Sequence, residues 1–76
     1  MYVYLLESRA DPQRRYVGLT ADLRGRLDRH NAGMSPHTAK YRPWRIVAAT
    51  WFADRSKAEA YLKSGSGHAF AKRHFW

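Results

Sequence analysis

The 76-residue chain is short enough to form one domain over residues 1–76, and its formal net charge of +8 favours a polyanionic partner, with nucleic acid preferred over a membrane surface. It has no cysteine, which excludes a disulfide and a thiolate zinc site. No apolar run approaches the roughly 18 residues of a membrane span, and the N-terminus lacks the pattern of an export signal, so we expect a cytoplasmic protein with no membrane partner.

Two short tyrosine strands open the chain. Alternating side chains predict a strand over residues 2–7 that is at least partly covered on both faces. A turn signal near Pro12 returns the chain into a second strand at residues 16–19, which indicates an antiparallel hairpin with a long loop. The two-residue period then places Tyr16 and Gly18 on one face.

A helix is expected after the hairpin. Either Thr20 or Asp22 can cap it, and it should run to about Ala32. Arg26 and His30 lie one turn apart on this helix, at the edge of its apolar stripe. We therefore expect both side chains near the sheet.

The second half of the chain predicts a basic loop at residues 34–42 and a third strand at residues 44–52, apolar enough to lie at the sheet centre. Asp54 should cap a second helix through about Lys63, and a Ser-Gly repeat separates it from a short helix at residues 68–75. The predicted class is α+β, a small three-stranded, mostly antiparallel sheet flanked by helices in the order β-β-α-β-α-α.

Five short motifs follow one another along nearly the whole chain. They are Tyr2-Val3-Tyr4, Tyr16-Val17-Gly18, Arg26 with His30, Pro43 to Val47, and Glu59 to Gly67. Each is weak alone, but in this order and spacing they resemble the GIY-YIG endonuclease family. The resemblance implies the fold of that family and hydrolysis of phosphodiester bonds.

The resemblance implies catalytic roles for Tyr4 and Tyr16. We expect Tyr4 to be the general base for the attacking water and Tyr16 to orient that water or bind a phosphate oxygen, with the reverse assignment open. A cationic neighbour such as Arg26 would favour the phenolate. Gly18 would leave room for backbone or substrate. Without the family pattern, cross-strand aromatic packing would be the better interpretation of both tyrosines.

Further roles are implied for the first helix. Arg26 would bind the scissile phosphate and stabilise the developing charge. His30 would hydrogen-bond a tyrosine or relay a proton, or else be an ordinary helix-face histidine that closes against the sheet. Arg24 and Arg29 point away from the apolar stripe, so we expect them in water or on flanking phosphates.

The resemblance also implies a metal site. The family places a metal-binding glutamate on the helix after the third strand, and Glu59 matches it. One carboxylate suits a single Mg²⁺ or Mn²⁺ ion that keeps most of its shell as water and phosphate oxygens. Arg55 and Lys63 lie four residues to either side, so an exposed helix salt bridge is the alternative. A late asparagine of the family is missing, since the only one here is Asn31.

Several other residues are candidates for contacts with substrate phosphates. They are His37, Lys40, Lys63 and Lys72. Gly65 and Gly67 form either an anion-binding turn before the last helix or a plain helix break.

These expectations combine into a metal-dependent endonuclease that cuts DNA, with RNA possible, and that is structure-selective or non-specific because the chain has no room for a targeting domain. The alternative from another class is a non-catalytic nucleic-acid-binding module. A third interpretation is a metal-free RNA-processing or protein-interaction domain. The oligomeric state is left open.

Overall fold

The computed structural model describes residues 1–63, which form a three-stranded antiparallel sheet between helices. The elements are β1 (Tyr2–Ser8), β2 (Arg15–Thr20), α1 (Leu23–Asn31), α2 (Pro36–Ala39), β3 (Trp44–Trp51) and α3 (Arg55–Lys63). This confirms the predicted α+β class. The expected last helix lies outside the described residues. Within residues 1–63, no helix is both long and apolar enough to cross a membrane.

β1 is the central strand, because the sheet order is β2-β1-β3. Its side chains are buried on both faces, as shown by Tyr4 on one face and Leu5 on the other. The prediction that the third strand lies at the centre is wrong: β3 is an edge strand, and most of its side chains, including Trp51, are half-buried or exposed. Residues with high strand propensity occur in edge and central strands alike, so composition alone did not distinguish them.

The two faces of the sheet pack against different helices. One face forms an apolar cluster with α1, made of Tyr4, Leu6 and Trp44 together with Leu23 and Leu27. On the opposite face, Leu5 packs against Val17 and against Tyr61 of α3. α1 and α3 therefore cover opposite faces.

The ends of α1 follow the predicted capping signals. Asp22 is the N-cap, and its Oδ1 accepts a hydrogen bond of 3.1 Å from the backbone N–H of Gly25. The helix ends at Asn31 with Ala32 as its C-cap, and Gly33 follows with a φ of 79°, the left-handed conformation that glycine adopts most readily. These caps fix where Arg26 and His30 stand relative to the sheet.

The segment expected to be a basic loop contains the one-turn helix α2. Pro36 starts it with a φ already suited to a helix. The carbonyl of Ser35 accepts hydrogen bonds from the backbone N–H groups of Thr38 (3.1 Å) and Ala39 (2.9 Å). Four residues are too few to show a helical period, which is why the pattern did not predict it. α2 places Thr38 in the interior, at 1 % exposure.

Candidate active site

The register of β1 against β2 brings the two motif tyrosines together. Tyr4 pairs with Gly18 and Leu6 pairs with Tyr16, so the tyrosines are diagonal neighbours on the face that α1 covers. Their ring centroids lie 6.3 Å apart. The predicted convergence of these two rings is therefore present in the structure.

Gly18 makes this convergence possible. A Cβ at this position would lie 2.5 Å from Cζ of Tyr4 and 2.9 Å from Cε2 of Tyr16. We expected the glycine to leave room for backbone or substrate, and that expectation is wrong: the space is filled by the Tyr4 ring. The second motif needs its glycine because the first motif places a tyrosine over it.

His30 joins α1 to both tyrosines. Its ring is only 2 % exposed, and its Nε2 lies 3.0 Å from the Tyr4 hydroxyl. The ring also meets Tyr16 edge-on, with centroids 5.2 Å apart. Burial, with a smaller contribution from the positive charge of Arg26, lowers the pKa of His30. The imidazole is therefore neutral at pH 7.

Tyr4 is a weak acid in this environment. Burial and, to a lesser extent, the adjacent Tyr16 raise the pKa of Tyr4 to about 12, because the opposing effect of Arg26 is smaller. Arg26 does favour the phenolate of Tyr4, as expected, but the lost solvation of the charged form outweighs one guanidinium, so Tyr4 stays a phenol at neutral pH. Tyr16 is half-buried and remains within reach of solvent.

A pocket of about 220 Å³ opens beside the buried histidine. It is lined by Arg26, Arg29 and His30 of α1 and by Met34, Ser35 and Pro36 before and within α2. Arg29 was expected to point away, but it shares this wall with Arg26 because residues three apart lie on the same side of a helix. Arg24 does point away, and its exposed side chain pairs with Asp28 at 3.6 Å.

Glu59 stands apart from this group. It lies on α3, and its Oε1 accepts a 2.8 Å hydrogen bond from Nε of Arg55. That bond, more than the charges of Arg55 and Lys63, lowers the pKa of Glu59. Within residues 1–63, no hydrogen bond or ion pair connects Glu59 to the tyrosines or to Arg26. The structure therefore shows the helix salt bridge that was the alternative interpretation of this residue.

The chemistry of Glu59 still fits one hydrated divalent ion. Its side chain is 38 % exposed, and its partner Arg55 is more exposed still, so the ion pair can be exchanged at little cost. Across the described part of the chain, no three His, Asp or Glu side chains are grouped to hold a metal. Any ion at Glu59 would need water and phosphate oxygens as its other ligands.

The predicted phosphate-binding residues do not gather around the pocket. His37 is exposed on α2, Lys40 follows α2 with its Nζ 5.8 Å from the ring centroid of Tyr41, and Lys63 is exposed at the end of α3. Gly65, Gly67 and Lys72, which were also candidates for contacts with phosphates, lie outside the described residues.

Two polar residues that the sequence did not indicate, Thr38 and Asn31, support the site. The Nδ1 atom of His30 lies 2.7 Å from Oγ1 of Thr38. The side chain of Asn31 accepts a hydrogen bond of 2.6 Å from the backbone N–H of Trp44 and donates one of 3.1 Å to its backbone carbonyl. These two bonds connect α1 to β3. Thr38 sits in a polar segment without a visible period, so only its position after a Ser-Pro helix start could have pointed to it.

Comparisons with known proteins agree with this geometry. The family model described as the GIY-YIG catalytic domain matches residues 1–72. No curated protein and no solved structure gives a significant match. The matched segment includes every described residue of the site.

Proposed function

Because the chain belongs to the GIY-YIG catalytic domain family, a family of nucleases, we propose that it is a metal-dependent endonuclease that hydrolyses phosphodiester bonds in DNA. One observation carries the proposal: Tyr4, Tyr16 and His30 pack around one another beside a pocket whose wall bears Arg26 and Arg29. Two guanidinium groups on one pocket wall with His30, whose ring packs against the half-buried Tyr16, suit a phosphate diester and the negative charge that grows on it during hydrolysis.

We assign the general base to Tyr16. A phenol with a pKa of about 12, as at Tyr4, is almost entirely protonated at neutral pH and is shielded from water. Tyr16 lies closer to solvent on the same face, and its ring packs against His30 of the pocket wall, so its hydroxyl is the one that can take a proton from a water molecule. Tyr4 then serves to hold His30, against which the Tyr16 ring packs.

Arg26 and Arg29 would bind the phosphate. Arg26 lines the pocket beside His30, and its charge acts to lower the pKa of Tyr4, which supports a position near the two tyrosines. A guanidinium offers two parallel N–H donors to a phosphate and keeps its charge at every relevant pH. Arg29, one turn away on the same wall, would contact the flanking part of the nucleic acid backbone.

Glu59 is the residue that would hold the divalent ion, Mg²⁺ or Mn²⁺, once its bond to Arg55 has been exchanged. When bound, such an ion supplies positive charge to phosphate oxygens and to the leaving group. The exposure of both partners supports this exchange.

A nicking assay tests the proposal directly. The protein should nick supercoiled plasmid in the presence of Mg²⁺ and should be inactive with a chelator. Tyr16→Phe and Arg26→Ala should each abolish nicking while DNA binding persists, whereas Arg24→Ala, which alters an exposed helix pair, should nick like the wild type. A panel of nicked, flapped and branched DNA, with matched RNA, would then give the selectivity.

The second candidate is a non-catalytic nucleic-acid-binding module, and the pairing of Glu59 with Arg55 favours it. Such a module would bind nucleic acid with the steep salt dependence of phosphate contacts but would cut none. Binding without Mg²⁺-dependent nicking on any substrate of the panel would support it.

A further inference from the structure

A buried chain of polar groups runs from Tyr4 through His30 to α2. The Tyr4 hydroxyl lies 3.0 Å from His30 Nε2, and His30 Nδ1 lies 2.7 Å from the Thr38 hydroxyl. The Thr38 hydroxyl in turn reaches the carbonyl of Ser35 at 3.5 Å. Tyr4, His30 and Thr38 are each no more than 2 % exposed, so every proton in the chain must find its acceptor inside the protein.

The hydrogen bonds that link Tyr4, His30 and Thr38 can run in either of two directions, according to which group donates at each step. In the first, Tyr4 donates to Nε2, Nδ1–H donates to Thr38, and Thr38 donates to the Ser35 carbonyl. In the second, Thr38 donates to Nδ1 and Nε2–H donates to the Tyr4 oxygen, which leaves the Tyr4 proton to find another acceptor. Within residues 1–63 the Tyr4 hydroxyl has no hydrogen-bond partner other than His30.

Counting acceptors therefore separates the two directions. The first direction satisfies every donor, although the last bond is long. The second leaves a buried hydroxyl proton without an acceptor, so that group loses its hydrogen bond to water and gains none in return. A neutral imidazole carries one ring proton, so the direction of the chain also decides the tautomer.

We propose that Thr38 is a positioning residue that fixes His30 in the Nδ1–H tautomer, so that Nε2 accepts a hydrogen bond from the Tyr4 hydroxyl. Thr38, at 1 % exposure, thereby acts on the active site without touching substrate. Trp44 supports this arrangement, because its Nε1–H donates to the Thr38 carbonyl at 2.7 Å and anchors the one-turn helix.

The effect on cleavage rests on the proposed function, but the tautomer does not, so it is measured separately. Long-range ¹H–¹⁵N NMR spectra of the uniformly labelled protein at neutral pH report which ring nitrogen of His30 carries the proton. We expect Nδ1–H in the wild type. Thr38→Val keeps the shape of the side chain but removes the acceptor, and it should shift the ring toward Nε2–H or a mixture. Thr38→Ser keeps the hydroxyl and should restore Nδ1–H.

A wild-type His30 in the Nε2–H form would overturn the proposal without any variant. A Thr38→Val protein that stays folded and keeps the Nδ1–H form would overturn it as well. Nicking by Thr38→Val should be about 3- to 10-fold slower, as expected for one neutral hydrogen bond, and Thr38→Ser should be close to the wild type. If no variant and no wild type nicks any substrate, the proposed function fails while the tautomer result still stands.

Discussion

The ring of Tyr4 lies directly over the Cα of Gly18 on the neighbouring strand, so close that a Cβ on residue 18 would be 2.5 Å from Cζ of Tyr4. The glycine of one motif and the tyrosine of the other thus occupy a single volume. Because Tyr4 is also hydrogen-bonded to His30, a side chain added at Gly18 would displace Tyr4 and so disturb the active site.

Gly18→Ala should therefore destabilise the protein and damage the site. Overpacking of this kind costs about 1–3 kcal/mol of unfolding free energy, and displacing Tyr4 should slow nicking by about 100-fold. Denaturant unfolding and plasmid nicking give the two values. In a double-mutant cycle, Tyr4→Phe removes the hydroxyl that the new methyl group would strike, so the two stability losses should be less than additive. Strict additivity would show that the methyl group and the Tyr4 hydroxyl do not meet.

The two tyrosines should differ sharply when each is changed to phenylalanine. Tyr16→Phe removes the proposed base and should lower the nicking rate by about 10²- to 10⁴-fold. Tyr4→Phe removes one buried hydrogen bond and should cost about 10-fold. Single-turnover nicking rates compare the two variants. Each variant is the control for the other, because both keep the aromatic ring and lose only the hydroxyl. If Tyr4→Phe is the more damaging change, the base assignment should be reversed.

Local patterns predicted much of this arrangement. The two-residue strand period gave the shared face of Tyr16 and Gly18, and the capping signals gave the ends of α1. The predictions that were wrong depended on three-dimensional context. The position of β3 in the sheet depends on which strand has neighbours on both sides, and the acidity of Tyr4 depends on how much water its hydroxyl loses. No spacing in the sequence records either quantity.

The arginines of α1 should sort by the side of the helix on which they lie. Arg26→Ala should lower nicking by at least about 100-fold, since it removes positive charge from the pocket wall that also bears His30. Arg29→Ala should weaken substrate binding more than it slows the chemical step, and Arg24→Ala should change neither. Titrations of KM and kcat for the three variants test this order. Equal losses at Arg24 and Arg26 would indicate non-specific attraction of DNA by surface charge.

Stability should fall in mildly acidic solution because of His30. Burial, together with Arg26, holds the pKa of His30 below its ordinary value of 6.5, so the unfolded chain takes up a proton before the folded chain does. This effect is absent above pH 6.5 and lowers the unfolding free energy as the pH decreases below that value, until the folded imidazole is protonated too. The titratable and charged groups that face the ring from β1, β2 and α1 are Tyr4, Tyr16 and Arg26.

Denaturant unfolding at about pH 7.5 and about pH 5.5 measures this loss. His30→Asn should reduce the difference between the two pH values, whatever its effect on absolute stability. His37→Asn, at an exposed position on α2, should leave the difference unchanged. An equal pH dependence in the wild type and in His30→Asn would exclude His30 as its source.

Arg55 should compete with the metal for Glu59. The two side chains are joined by a 2.8 Å hydrogen bond that lowers the pKa of the carboxyl, so an ion binding to Glu59 has to displace a guanidinium first. Arg55→Ala removes that competitor and should lower the Mg²⁺ concentration for half-maximal nicking by a few fold, since an exposed ion pair is weak. Glu59→Gln should abolish nicking at every Mg²⁺ concentration. Lys57→Ala changes an exposed cation on the same helix and is the control for a general effect of charge. If Arg55→Ala and Lys57→Ala shift the Mg²⁺ requirement equally, Glu59 is a surface salt-bridge residue and the ion binds elsewhere.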